Sequence, residues 1–288
     1  MTTTPMTDFT DELREHAPHV GVDLLAIAPI ERFADIPADK HPASIFPEVR
    51  SVLVIGKRIA RGALRGVEEG TQFDLYGQYG RDWLNNRVLA TATFHMTEFL
   101  EDHGWEAVPL PNLPKEVPPM GIPVRAGQPA PNVMLDFDDA AVRAGLGEIG
   151  YCGMLLTPRF GPRQRIQIIL TDAALEPDPM LEKPVCIHCQ DLQSICPLGA
   201  ISRTDETTLT IAGKTMPVGH IDFSICNSCK NGAGLNPIHA AGTPDRCSAL
   251  CTRTCIVNLE EAGQLANTFA NPFRKRAQWG VVEELKRL

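Results

Sequence analysis

The 288-residue chain lacks any stretch of eighteen apolar residues, so nothing in it reads as a membrane-spanning helix and no membrane partner is expected. The start, Met1-Thr2-Thr3-Thr4, lacks the apolar segment of an export signal, which predicts a cytoplasmic protein. There is no internal repeat and no low-complexity tract. Positive charge is in deficit: 27 Lys and Arg stand against 35 Asp and Glu, a formal net charge of −8. Nonspecific nucleic-acid binding, which needs cations against phosphate, is therefore disfavoured, and tRNA is not an expected partner. Local patches such as Arg274-Lys275-Arg276 escape that average. Cysteine is nearly absent from the first 185 residues, where Cys152 stands alone.

The other eight cysteines fall between Cys186 and Cys255. Three of them lie in Cys186-Ile-His-Cys189-Gln-Asp-Leu-Gln-Ser-Ile-Cys196-Pro197. This is the bacterial ferredoxin spacing Cys-x-x-Cys-x-x-Cys-x-x-x-Cys-Pro with Leu192 in place of the third cysteine. Cys226, Cys229, Cys247, Cys251 and Cys255 follow. Two 4Fe-4S clusters need eight thiolates, and in two-cluster ferredoxins the last cysteine of each run ligates the other cluster. Single-electron transfer is the chemistry expected of such a set. Zinc would explain the pairs Cys186/Cys189 and Cys226/Cys229 but neither the Cys-Pro ending nor eight ligands. Disulfides do not suit a reducing cytosol. His188, inside the first run, is a further possible ligand, and Cys152 reads as a buried or pocket thiol.

The length suits two domains with separate cores. Spacing predicts a helix from about Asp8 to His19, strands at Val22–Ala28, Ser51–Gly56, Trp105–Val108 and Arg165–Thr171, and a short helix from Asp138 to Ala144. A longer amphipathic helix is predicted from near Asp82 to Asp102, with Leu84, Val88, Leu89, Ala92, Phe94, Met96 and Phe99 on or near one face. Prolines recur between Pro109 and Pro131, which excludes a helix and suggests a loop around a ligand pocket. Pro177 and Pro179 mark a linker between Glu176 and Lys183. Gly145, Gly147, Gly150 and Gly153 crowd one short segment, where close backbone approach to a ligand and a tight structural turn are both open readings.

Arg143-Ala-Gly-Leu-Gly-Glu-Ile-Gly150, then Ile168-Ile-Leu-Thr-Asp172, then Cys186-x-x-Cys189 and Ile195-Cys-Pro-Leu-Gly-Ala-Ile201 together resemble the epoxyqueuosine reductase and reductive dehalogenase superfamily. Tyr79-Gly-Arg-Asp82 resembles its Gly-Arg-Asp-Tyr-His element, with Trp83 in place of Tyr. The resemblance runs from about Val22 to Glu260. It implies an α+β fold: a nitroreductase-like cobalamin-binding domain at residues 1–178, then a bacterial ferredoxin-like iron-sulfur domain with a C-terminal extension at 179–288. Two 4Fe-4S clusters would feed a base-off cobalamin, with FMN as the alternative to cobalamin in the same domain. Three departures stand out: Pro131 occupies the place of the family's proton-donating Asp, the helical repeats that help hold tRNA are missing, and so is a twin-arginine signal.

Cluster one is assigned Cys186, Cys189 and Cys255, completed by Cys229; cluster two is assigned Cys196, Cys226, Cys247 and Cys251. Tyr76, Tyr79 and Asp82 are the candidate catalytic residues, with Arg81 beside them; the competing reading makes them the first turn of the long helix, with Asp82 as its cap. The candidate cofactor contacts are Arg143, Gly145, Leu146, Gly147, Gly150, Cys152 and Gly153. The expected activity is an iron-sulfur reductase that passes electrons through cobalamin to a small-molecule substrate, drawing them from an external donor such as ferredoxin or flavodoxin. The alternative is an electron-transfer protein that reduces a partner's corrinoid and has no substrate of its own.

Overall fold

The computed structural model describes residues 6–110, 121–189, 191–235 and 243–282. Its strands are Leu24–Pro29 (β1), Ser51–Arg58 (β2), Ala107–Leu110 (β3), Glu148–Ile149 (β4), Leu155–Leu156 (β5), Gln164–Thr171 (β6), Ile201–Ile211 (β7) and Lys214–Ile221 (β8). The longer helices are Met6–His19 (α1), Ala90–Asp102 (α2), Phe137–Arg143 (α3) and Leu250–Glu261 (α4). This is a mixed helix and sheet architecture, divided into two compact units. The first holds residues up to Arg58, then Trp83–Leu146 and Arg165–Glu182; the second holds Ile59–Asp82, Gly147–Gln164 and the residues from Lys183 on.

The first unit is built on a four-stranded sheet in the order β1-β2-β6-β3, with β1 antiparallel to β2 and β3 antiparallel to β6. Its central strands are unbroken apolar runs because both faces are covered: Val52 to Ile55 and Ile168 to Leu170 are all buried. Phe9, Leu13 and Ala17 of α1 pack with Leu89, Ala92, Met96 and Leu100 in the same core as Ile27, Leu53 and Ile169. The long-helix expectation needs correction. Leu84–Leu89 is wound as a π-helix, so its buried residues Leu84 and Leu89 are five apart, and only from Ala90 does the stripe take α spacing. Val88 and Phe94, expected on the buried face, are 48% and 57% exposed. Helical winding also begins before Asp82, at Asp74–Tyr76, and continues without a break through a π-helix at Gly77–Asp82, so Asp82 lies inside the winding and is not its cap. Of the proline-rich stretch, residues 111–120 lie outside the described residues; from Gly121 to Pro131 the chain makes bends and turns without helix or strand.

In the second unit, β4 and β5 form a short antiparallel hairpin and β7 and β8 a longer one. The β7–β8 turn is Ala212-Gly213, with φ of 46° and 82°, the two positive values that match a two-residue turn to strand twist. α4 carries a fully buried arginine, Arg253, whose charge is met by Glu68, and Glu68 also pairs with Arg274 at 2.6 Å. No helix among the described residues is long and apolar enough to cross a membrane.

Candidate iron-sulfur and substrate site

The second unit gathers the cysteines around two small cavities. One is lined by Cys196, Cys226, Cys229 and Cys251, with Pro197, Leu198 and Arg246 in its wall. The other is lined by Cys152, Cys186, Cys189 and Cys255, with Tyr151, Leu156 and Leu192. Helix α4 explains why the cavities are neighbours. Cys251 and Cys255 are four residues apart, so they share a face and are separated by about 6 Å of helical rise. The short helix Asp191–Ile195 does the same for the first run, with Cys189 before it at one cavity and Cys196 after it at the other.

This grouping differs from the assignment by spacing in two positions. Cys229 lines the cavity of Cys196, Cys226 and Cys251, and does not join Cys186, Cys189 and Cys255. Cys247 is among the lining residues of neither cavity; it is buried, and its backbone N–H donates to Asp245 at 3.2 Å. His188 adopts a left-handed backbone, φ 48°, and sets its ring edge-on to Tyr151.

None of the nine cysteines is in a disulfide, and the donor set of each cavity is four sulfurs with no carboxylate or imidazole. Among the described residues no three His, Cys, Asp or Glu side chains converge as a single metal ion requires. Four thiols spread around a small cavity suit a polynuclear cluster better than one tetrahedral zinc. Backbone donors reach the sulfurs, as cluster sites require: Tyr151 N–H to Cys186 Sγ and Asn231 N–H to Cys229 Sγ, both at 3.4 Å. Burial pushes the Cys226 thiol up to about 12, and Arg246 works against that shift. The Cys152 thiol is held down to about 7, first by its hydrogen bond with Cys255 and, against burial, by Arg246.

Arg246 was invisible to spacing arguments. It is 3% exposed, lines the Cys226 cavity, and its charge acts on Cys152, Cys226 and Cys251. Its Nη2 donates to the Gly153 carbonyl at 3.2 Å, while Nη1 is buried with no hydrogen-bond partner among the described residues. A buried cation with an unmet donor in the wall of a four-thiol cavity is the charge complement that an anionic group bound there would need. Glu148, which flanks the glycine motif, is a structurally paired charge: its Oε1 accepts from the backbone N–H groups of Val185 and Cys186, both at 2.7 Å, and Lys214 neutralises it at 3.2 Å.

A larger open cavity of about 820 Å³ lies in the same unit. Apolar Val67, Phe73, Leu198, Leu235, Val281 and Val282 line it together with Tyr76, Arg81 and Lys230, and Gly232-Ala233-Gly234 brings bare backbone to its wall. Cys229 lines both this cavity and the Cys226 cavity. Of the candidate catalytic residues, Tyr76 lines the open cavity; Tyr79 is 57% exposed, and Asp82 accepts from Arg81 Nε at 2.9 Å. Gly80 leaves the room that Tyr76 fills, since a Cβ there would sit 2.3 Å from its ring.

The glycine-segment candidates do not line the open cavity. Arg143, 2% exposed, is consumed by ion pairs to Asp35 and Asp139, each at 2.5 Å. Leu146 is buried and donates its N–H to Ala141 O. Gly145, φ +77°, would drive a Cβ to 2.0 Å from Pro179 O, and Gly147 to 2.3 Å from Leu156 O. Gly150 and Gly153 form the β4–β5 turn, closed by Gly153 N–H to Gly150 O at 2.8 Å, and Cys152 rides on that turn.

No family model matches the chain. A tetrachloroethene reductive dehalogenase of Desulfitobacterium hafniense is 45% identical over 69 residues, a stretch that is 23% of this chain and 12% of that protein. Among solved structures, a catabolic reductive dehalogenase in complex with 3-bromo-4-hydroxybenzoic acid matches with a TM-score of 0.57 at 18% identity, over 86% of this chain and 32% of that one. A reductive dehalogenase whose structure suggests a mechanism for B12-dependent dehalogenation matches with a TM-score of 0.55 at 19% identity, over 77% and 29%. Epoxyqueuosine reductase bound to a modified tRNA-Tyr stem loop matches at 0.46 and 18%, over 68% and 53%. The fold is thus similar to that of the reductive dehalogenases, and a 69-residue stretch is similar to one of them in sequence. The chain spans about a third of the length of the dehalogenase structures.

Proposed function

We propose that this protein is an iron-sulfur reductase in which two 4Fe-4S clusters, one in each four-cysteine cavity, pass electrons singly to a cobalamin in the open cavity, where a small-molecule substrate is reduced. The observation that carries the proposal is Cys229, which lines both a four-cysteine cavity and the open cavity, so that one residue borders both. Cys196, Cys226, Cys229 and Cys251 hold the cluster next to the open cavity. Cys186, Cys189 and Cys255 contribute to the other, which receives electrons from an external donor of the ferredoxin or flavodoxin type.

The size and apolar lining of the open cavity fit a large, flat cofactor, and its wall includes Tyr76 and Arg81 from the segment expected to carry the catalytic residues. Cobalamin bound there would supply a strongly reducing cobalt centre, and the B12-dependent dehalogenation attributed to a structure of the same fold supports that choice over FMN. In a reductive cleavage the substrate takes up two electrons and one proton and releases its leaving group as an anion. Tyr76 gives that proton from Oη by exchanging its hydrogen bond to Asp245 for one to the substrate, with the cation of Arg81 close enough to stabilise the phenolate left behind. Until substrate arrives, the Asp245 carboxylate accepts the hydroxyl hydrogen and holds the ring in place.

Spectral titration of the anaerobically reconstituted protein with cobalamin, and separately with FMN, tests the reading. A stoichiometric base-off corrinoid spectrum is the expected result. Preference for FMN would replace the corrinoid, and binding of neither would leave an electron carrier.

A further inference from the structure

The ferredoxin run is one cysteine short, and the structure shows what that shortage looks like in space. Leu192, at the third-cysteine position, turns its buried side chain into the wall of the cavity lined by Cys186, Cys189 and Cys255. A thiol at residue 192 would complete that set. Instead the wall carries Cys152, which is 1% exposed and lines the same cavity as Cys255.

We propose that Cys152, from outside the cysteine-rich segment, is the fourth iron ligand of the cluster held by Cys186, Cys189 and Cys255, and that Cys247 ligates neither cluster. The inference rests on the two-cluster reading and extends it. Cys152 binds as a thiolate and releases its proton to solvent, as metal binding to thiols does.

The glycine-dense segment then has a physical task. β4 and β5 are joined by a turn in which Gly150 N–H donates to Met154 O at 2.9 Å and Gly153 adopts φ +66°. A Cβ on Gly150 would collide with Leu156 at 2.3 Å, and one on Gly153 would meet Ile221 at 3.0 Å and Arg246 at 3.3 Å. Both glycines are therefore needed for the turn to close with the Cys152 sulfur directed into the cavity. The hairpin also fixes the loop that brings the opposing ligand: Glu148 of β4 holds the backbone N–H groups of Val185 and Cys186, and Tyr151 N–H meets Cys186 Sγ. One hairpin thus delivers one ligand and seats another. It replaces a cysteine on the Asp191–Ile195 helix with a cysteine more than thirty residues upstream.

The test compares Cys152→Ser, Cys247→Ser and Cys152→Ser/Leu192→Cys, each reconstituted anaerobically, by iron and sulfide content and by EPR of oxidised and reduced samples. Cys152→Ser is expected to fall to about four irons per chain, or to show a three-iron signal when oxidised, while Cys247→Ser keeps the full complement. Leu192→Cys in the Cys152→Ser background is expected to restore the lost cluster by returning the thiol to the ferredoxin position. Full retention of both clusters in Cys152→Ser overturns the proposal, as does equal loss in Cys247→Ser. Loss of both clusters together without rescue would make Cys152 a residue of the fold and overturn it too. A wild-type protein that loads a single cluster would instead defeat the two-cluster reading, whichever cysteines ligate it.

Discussion

Tyr76 donates its phenolic hydrogen to the carboxylate of Asp245, with Oη 3.0 and 2.9 Å from the two oxygens. Tyr76 is 4% exposed and lines the open cavity, and the bond holds its phenol in place there. Removing the hydroxyl removes the proton donor without touching a cysteine. Tyr76→Phe is expected to lower turnover by about 10²-fold, the low end for loss of a general acid, with iron content and cobalamin titration unchanged. Steady-state rates alongside iron analysis check this, and an undiminished rate assigns the proton to another group.

Arg246 offers a different handle, because its charge lies beside the Cys226 cavity and also acts on Cys152. A fixed cation stabilises the more negative, reduced state of a cluster. Arg246→Gln should therefore shift at least one cluster to a more negative potential by about 59 mV or more, a tenfold change for one electron. EPR-monitored redox titration measures it. Unchanged potentials in a fully loaded variant would reduce Arg246 to a packing role.

Gly147 is held against backbone: a Cβ there lies 2.3 Å from Leu156 O and 3.1 Å from Leu156 C. Gly147→Val must prise β4 from β5, at a cost of about 2 kcal/mol or more. Because that hairpin carries Cys152 and anchors Cys186, iron loading should fall together with thermal stability. A folded, fully loaded Gly147→Val that fails to bind cobalamin would mean instead that the glycine meets the cofactor.

Glu68 is nearly fully buried between Arg253 and Arg274, and Arg253 has no exposed surface. Glu68→Gln leaves buried guanidinium charge uncompensated and is expected to cost about 3 kcal/mol, read as a lower denaturant midpoint. Since Arg253 sits on α4 between Cys251 and Cys255, apo-protein stability and cluster retention should decline together.

The ferredoxin run and the apolar strands Ser51–Arg58 and Gln164–Thr171 were legible in the sequence because each is a local pattern: a spacing, or a run buried on both faces. The partners of those cysteines were not. Cys152 meets Cys255 across about a hundred residues of sequence, and no spacing rule carries that information. The glycines gave the density of close approaches but not what approached them, which for Gly147 is the Leu156 carbonyl. The long helix was misplaced because π winding at Gly77–Asp82 and Leu84–Leu89 breaks the 3.6-residue period used to find it. The β7–β8 hairpin escaped notice because most of β7 is exposed, which removes the alternation that marks a strand, and because its turn uses Ala212 where Asn or Gly is usual.

The central claim is that the two four-thiol cavities each hold a 4Fe-4S cluster. Iron, acid-labile sulfide and zinc analysis of anaerobically reconstituted wild-type protein, with EPR spin counting after reduction, tests it most directly. The account predicts about eight irons and eight sulfides per chain, with two interacting paramagnetic centres on reduction. About four irons per chain, or stoichiometric zinc in their place, would contradict it.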